Sequence, residues 1–156
     1  MNSAQHQITD PFDLNRFLGA QAGVYERALG ELKRGRKQSH WMWFIFPQIR
    51  GLGNSSMTQR YSIKSIEEAQ EYLAHPVLGK RLIDCTEAVL AAEGRTSTEI
   101  MGSPDDLKLK SSMTLFEAAS GADSVFGRVL DKFYAGERDA KTLTILKDLR
   151  KTGLDS

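Results

Sequence analysis

The chain has 156 residues, 40% of them hydrophobic and 26% charged, the balance of one ordinary soluble globular domain and not of a disordered tail. Lys and Arg number 21 against 20 Asp and Glu, and the net charge of +1 supplies no global field for gripping nucleic acid or an anionic membrane. The single cysteine, Cys85, excludes an internal disulfide framework.

Residues Met1 to Pro11 are polar and contain no apolar run of the signal-peptide kind. They read as a flexible tail, 1–11, ahead of a single helical domain over 12–152. No stretch has the length of a transmembrane span, so the cytoplasm is the expected location. Asp10-Pro11 offers an N-cap followed by proline at the first helical position, where a missing N–H costs nothing. On the helix that follows, Leu14, Phe17, Leu18, Val24, Tyr25, Ala28, Leu29 and Leu32 gather on one arc with Gln21 in its middle. Gln21 is therefore predicted buried, with an amide that needs partners. Gly19, Gly23 and Gly30 cluster on the other side, each costing the helix about 1 kcal/mol against alanine. A second backbone packed on that face would account for them. It could belong to this chain or to a second copy, so monomer and homodimer both stay open. Gly35 ends the helix, after Lys33 and Arg34 have complemented its dipole.

Ser39 to Gln48, SHWMWFIFPQ, is the most unusual stretch, because Trp41 to Phe46 are apolar in succession and no period separates an inner from an outer face. A surrounded segment is implied. A helix capped by Ser39 and stopped before Pro47 is favoured over a strand, since no second strand-like run pairs with it. Further helices start at Ser65, with Glu68 completing a capping box, at Pro76, and around Pro104, where Ser103 and Asp106 repeat the box. Two more carry Val125 to Phe133 and, from near Asp139, an inward row of Leu143, Leu146 and Leu149. One all-α domain of about seven helices is the economical reading.

Candidate chemistry is sparse. His6, His40 and His75 include no pair at i, i+4, so no metal is expected. His6 sits in the polar tail, and His75, before Pro76, reads as a local structural contact. His40 borders the apolar stretch, a position suited to a general base and equally to a hydrogen-bonded core histidine. Trp41 and Trp43 offer stacking surfaces and Gln48 an amide beside them. Lys108 and Ser111, three apart on the Pro104 helix, are neighbours able to give a charge and a hydroxyl to one anion, although a snorkelling lysine explains the same pattern. Thr114 has drifted away from Lys108, and all three meet one ligand only on an irregular helix. The basic cluster Lys33, Arg34, Arg36 and Lys37 has too narrow a footprint to make nucleic acid the expected partner. Cys85 lies within an apolar arc and reads as an inert core thiol. No Walker-type loop, dinucleotide fingerprint or nucleophile elbow is present, Gly51-Leu52-Gly53 being too short a match, and no cofactor is expected.

These stretches together resemble one family, catalogued as domain of unknown function 1810, whose bacterial members are often labelled calpastatin. The likeness runs from Arg16 to about Leu146, through the Ser39-to-Gln48 string, Gly51-Leu52-Gly53, Tyr61, Tyr72 to Gly79, Asp105 with Lys108, and Ser111 to Phe116. It implies an all-helical fold and directs attention to the motif positions, without assigning an activity, cofactor or catalytic residue. The calpastatin label fails a physical test. An inhibitor of that type resembles a repetitive, disordered chain, whereas this one has helix caps, a large apolar complement and no repeats. The leading expectation is a domain that binds or acts on a small anionic, phosphate- or nucleotide-like ligand, through His40, Trp41, Trp43, Gln48, Lys108, Ser111 and Thr114. A structural or protein-interaction module without catalytic activity is the alternative.

Overall fold

The computed structural model describes residues 9–154, so His6 and most of the expected tail lie outside the described residues. Asp10 is not the N-cap expected of it, nor is Pro11 the first helical residue: Leu14 is the N-cap and Pro11 lies in a turn, while the Asp10 carboxylate accepts the N–H groups of Leu14 and Asn15 at 2.8 and 3.0 Å. The helix then begins at Asn15, after a turn. It is also broken: α1 (Asn15–Gln21) and α2 (Tyr25–Lys33) are separate, and Gly23 between them has φ +76°, a left-handed value that a helix cannot contain. The apolar arc carries across the break and hides it from a periodicity argument.

The aromatic stretch forms only the short α3 (Met42–Ile45), and Ser39 does not cap it, because its hydroxyl is turned back to Glu31. Beyond it, an isolated parallel bridge between Ile49 and Ile63 is the nearest approach to a sheet among the described residues. Two five-residue helices escaped the sequence reading, α4 (Ser56–Arg60) and α7 (Ser97–Met101). Between them lie α5 (Ile66–Ala74) and α6 (Leu78–Ala91), and then come α8 (Asp105–Ser120), α9 (Val125–Phe133) and α10 (Ala140–Leu154). The described residues thus form an all-helical domain of ten helices where about seven were expected.

Local chemistry explains most starts. Ser65 accepts from the Glu68 N–H at 3.1 Å, but the Glu68 carboxylate does not close the box. It goes instead to Arg16, 2.8 Å away and equally closed to solvent. The Nδ1 of His75 accepts the N–H groups of Val77 and Leu78 at 3.1 and 3.2 Å, the structural contact expected of it. Ser103 and Asp106 form no capping box; Asp106 accepts from Thr98 and from the Leu107 N–H. Asp139 takes the Thr142 N–H and hydroxyl at 3.0 and 2.5 Å and starts α10.

α8 is the axis of the fold, packed by α5, α7, α9 and α10. Leu109, Met113 and Phe116 carry it into a core in which Phe17, Tyr72, Phe116 and Phe126 form a continuous aromatic contact chain at 5.1, 5.5 and 5.7 Å between ring centroids. Each such ring, fully removed from water, contributes about 1.5–3 kcal/mol. Gln21 is buried as expected and satisfied: its amide donates to the Phe44 carbonyl at 2.8 Å and to the Tyr72 hydroxyl at 3.1 Å, and accepts from Arg81. Cys85 is also in the core, where burial pushes its thiol up to about 12. Two expectations fail. Gly19 and Gly23 face open space with no backbone near them, and Gly30 is approached only by the Arg34 side chain. Leu143 and Leu149 are exposed, because α10 turns Thr142 and Ile145 towards the body of the protein.

Candidate functional site

Glu31, on α2, builds the site from below. Glu31 is 2% exposed and its carboxylate receives four donors: the N–H groups of Gln38 and Ser39 at 2.8 and 2.9 Å, the Trp41 indole N–H at 2.8 Å, and the Ser39 hydroxyl. Burial works against ionisation, and the hydrogen bonds from Ser39, Gln38 and Trp41 outweigh it, holding the carboxyl at about 2. The result is a chain segment pinned at Ser39 and Trp41 that leaves His40 between them exposed and Trp43 half-buried. His40 is thus at the surface and not against an inner apolar wall.

Against this segment comes the first turn of α8. The Asp105 carboxylate lies between two ammonium groups, Lys37 Nζ at 2.9 Å and Lys108 Nζ at 3.6 Å. Each lysine also sits over a tryptophan ring, Lys37 over Trp41 at 4.8 Å and Lys108 over Trp43 at 5.3 Å from the centroid. Lys37 is further held by the Ser39 carbonyl at 2.6 Å, so its charge is fully committed. Lys108 is the looser of the two. Its one ion pair among the described residues is the longer one, and its side chain is about one-third exposed, at 32%.

Two depressions open here. The first, about 290 Å³, is lined by Lys37, His40, Trp43, Ser103, Asp105 and Lys108. The second, about 330 Å³, is lined by Gln48, Gly53, Thr58, Lys108, Ser111 and Lys141. Pro104 and Lys108 belong to both, so the two adjoin with Lys108 at the shared wall. Of the residues singled out from the sequence, His40, Trp43, Gln48, Lys108 and Ser111 reach these depressions. Trp41 and Thr114 do not: Trp41 is wholly buried, and the Thr114 hydroxyl donates to the Lys110 carbonyl at 2.8 Å and accepts the Asp139 N–H at 2.9 Å, which docks the start of α10. Among the described residues, no three His, Cys, Asp or Glu side chains gather as metal ligands, and no helix is long and apolar enough to cross a membrane.

Glu31, Lys37 and Asp105 were missed as site residues. Lys37 was absorbed into the basic cluster, of which Lys33, Arg34 and Arg36 are exposed as solvated ends would be. Glu31 carried a legible signal. It falls three residues after Ala28 and one before Leu32, at the edge of the buried arc, where a carboxylate requires donors.

The fold and the depressions define an all-helical domain with an aromatic and basic surface hollow. The chain belongs to the family described as protein of unknown function (DUF1810), whose model matches residues 11–146. It is similar to the conserved hypothetical protein Rv1873 from Mycobacterium tuberculosis, whose crystal structure is 54% identical in sequence, with a TM-score of 0.87 over 88% of this chain and 99% of that one. No curated protein matches it.

Proposed function

We propose that the two adjoining depressions bind a small anionic ligand that carries phosphate, with Lys108 as the primary anion contact. The observation that carries this reading is the position of Lys108: it borders both hollows, lies on the Trp43 ring and has only a 3.6 Å contact to its carboxylate. Ser111 and Lys141 extend the contact in the second hollow, Gln48 supplies an amide, and Trp43 gives the first hollow an aromatic wall. His40 is placed as a hydrogen-bond donor or a base towards the same ligand. Trp41 and Thr114 serve from beneath, one through Lys37 and Glu31, the other by fixing α10. A cytoplasmic setting goes with this reading, and the buried free thiol of Cys85 suits it.

A thermal-shift screen against nucleotides and phosphorylated metabolites tests it. A ligand present at 100 times its dissociation constant stabilises the parent by about 2.7 kcal/mol. Lys108→Ala removes that shift and His40→Ala diminishes it. The alternative, an interaction module, is favoured by Leu107, 60% exposed at the rim of the second hollow. Under it no small anion moves the melting temperature and both variants behave as the parent.

A further inference from the structure

A groove of about 670 Å³ lies away from these hollows, where the C-terminal half of α2 runs beside that of α6. Leu29, Ala88 and Ala92 give it an apolar wall, and Lys33, Arg34 and Arg95 stand at its rim. Gly35 lines it, and Gly30 lies beside the Arg34 side chain that lines it. A Cβ at Gly35, whose φ is +78°, would meet Arg95 Nε at 3.2 Å, and one at Gly30 would meet Arg34 Nη1 at 3.4 Å. Both guanidinium groups therefore lie along backbone in space that a side chain would contest, with the rest of each residue open to solvent.

Among the described residues none of the three cations makes an ion pair. Of the carboxylates in the groove, Asp84 is engaged by Lys80 at 2.7 Å and Glu93 by Lys132 at 2.8 Å, which leaves Glu87 alone. Lys33, in the last turn of α2, and Arg34, its C-cap, complement the helix dipole by charge, but among the described residues no carbonyl holds either side chain. The end of α2 is closed by the Gly35 N–H on the Leu32 carbonyl at 2.9 Å and the Arg36 N–H on the Glu31 carbonyl at 3.1 Å. The end of α6 is closed by Lys132 on the carbonyls of Leu90 and Ala92 at 2.6 and 2.9 Å. Three uncommitted cations thus face one uncommitted carboxylate beside an apolar wall.

We infer that this groove is a second ligand site, one that takes a small phosphomonoester with an apolar body. The phosphate meets Arg34 and Arg95, whose planar donor forks suit an oxyanion, and the body lies on Leu29, Ala88 and Ala92. The volume is in the range of small-molecule sites. The site shares no residue with the Lys108 hollows and stands or falls apart from them.

The test is a titration of isotope-labelled protein with phenyl phosphate, followed by amide shifts, with inorganic phosphate and phenol as the two halves of the probe. Saturable shifts are expected at Gly30, Gly35, Ala88 and Ala92, with phenyl phosphate binding at least tenfold tighter than either half. Arg34→Ala and Arg95→Ala each weaken it about fivefold or more, Arg34→Lys does not restore it, and Lys108→Ala leaves the groove shifts as in the parent. Unchanged melting temperatures certify the fold of these surface variants. Shifts confined to other parts of the protein, equal affinity in the arginine variants, or no saturable shift up to the solubility limit of phenyl phosphate would overturn the assignment.

Discussion

The indole N–H of Trp41 donates to the Glu31 carboxylate at 2.8 Å, ten residues back along the chain, and both groups are closed to solvent. That bond joins the helix before the aromatic stretch to the stretch itself and fixes the path on which His40 and Trp43 are presented. A buried carboxylate with four donors is costly to disturb, because each donor left without it is a desolvated polar group.

The acid limb of stability should therefore report Glu31. Its carboxyl is held at about 2 when folded, against an ordinary 4.5. A depressed value means that the unfolded chain takes the proton first as pH falls. The stabilisation is complete above about pH 4.5 and is lost progressively towards pH 2, and its size is roughly 3 kcal/mol. Glu31→Gln is expected to be less stable at neutral pH and to lose this slope. Urea unfolding of parent and variant across that window checks it; parallel curves would refute the account.

Arg16 and Glu68 form the other buried ionic centre. Arg16 gives Glu68 one bond at 2.8 Å and meets the carbonyls of Phe12, Asp13, Arg60 and Ser62, each at 2.7 Å, so it ties the start of the chain to the α4–α5 connection. Arg16→Met leaves the buried Glu68 carboxylate with only the Lys64 N–H at 2.9 Å and the half-exposed Lys64 ammonium at 3.8 Å, and is expected to cost about 3–5 kcal/mol. Adding Glu68→Gln should recover part of that loss, since the orphaned charge goes. Denaturant melts of the single and double variants decide it, and a strictly additive double would contradict the coupling.

How far the sequence carried depends on the length of each signal. α6 and α8 are long enough for an apolar face to repeat, so both were legible, although the capping box expected at the start of α8 does not form. α4 and α7, five residues each, complete barely a turn and offer no period to detect. The break at Gly23 was masked because apolar residues on both sides continue the same arc. At the site, Lys108 and Ser111 were legible as neighbours on one helix. Asp105 stands three residues before Lys108 and shares the family likeness with it, but its closer partner Lys37 lies 68 positions away, and ion pairing across such a distance leaves no local pattern. Gln21 was legible as buried, while its partners on Phe44, Tyr72 and Arg81 depend on packing alone.

Two glycines in helices make opposite predictions. A Cβ on Gly79 would lie 2.1 Å from the Leu73 carbonyl oxygen, where the end of α5 crosses the start of α6. Gly79→Ala must force the two helices apart, at a cost of about 3 kcal/mol or more. Gly19, inside α1, has nothing within 4 Å of that position. Gly19→Ala is expected to stabilise by roughly 0.5–1 kcal/mol through helix propensity and a less free unfolded chain. Thermal melts of the two variants should move in opposite directions.

Asp105→Asn separates the structural use of the carboxylate from its effect on an incoming anion. The carboxylate holds Lys37, whose side chain is only 7% exposed, and loosely restrains Lys108. Replacing it leaves Lys37 with the Ser39 carbonyl as its remaining acceptor, so stability should fall by about 1–3 kcal/mol. Anion binding should move the other way. A negative charge next to the proposed phosphate position repels it by about 1 kcal/mol even at the dielectric of water, so its removal should tighten phosphate at Lys108 by about fivefold or more. The gain should vanish in Asp105→Asn with Lys108→Ala, and should shrink at high salt. Calorimetric titration with inorganic phosphate in an Arg34→Ala, Arg95→Ala background isolates this hollow from the α2–α6 groove. A variant that melts lower and binds phosphate no better would show that the carboxylate only braces the fold and that Lys108 receives no anion there.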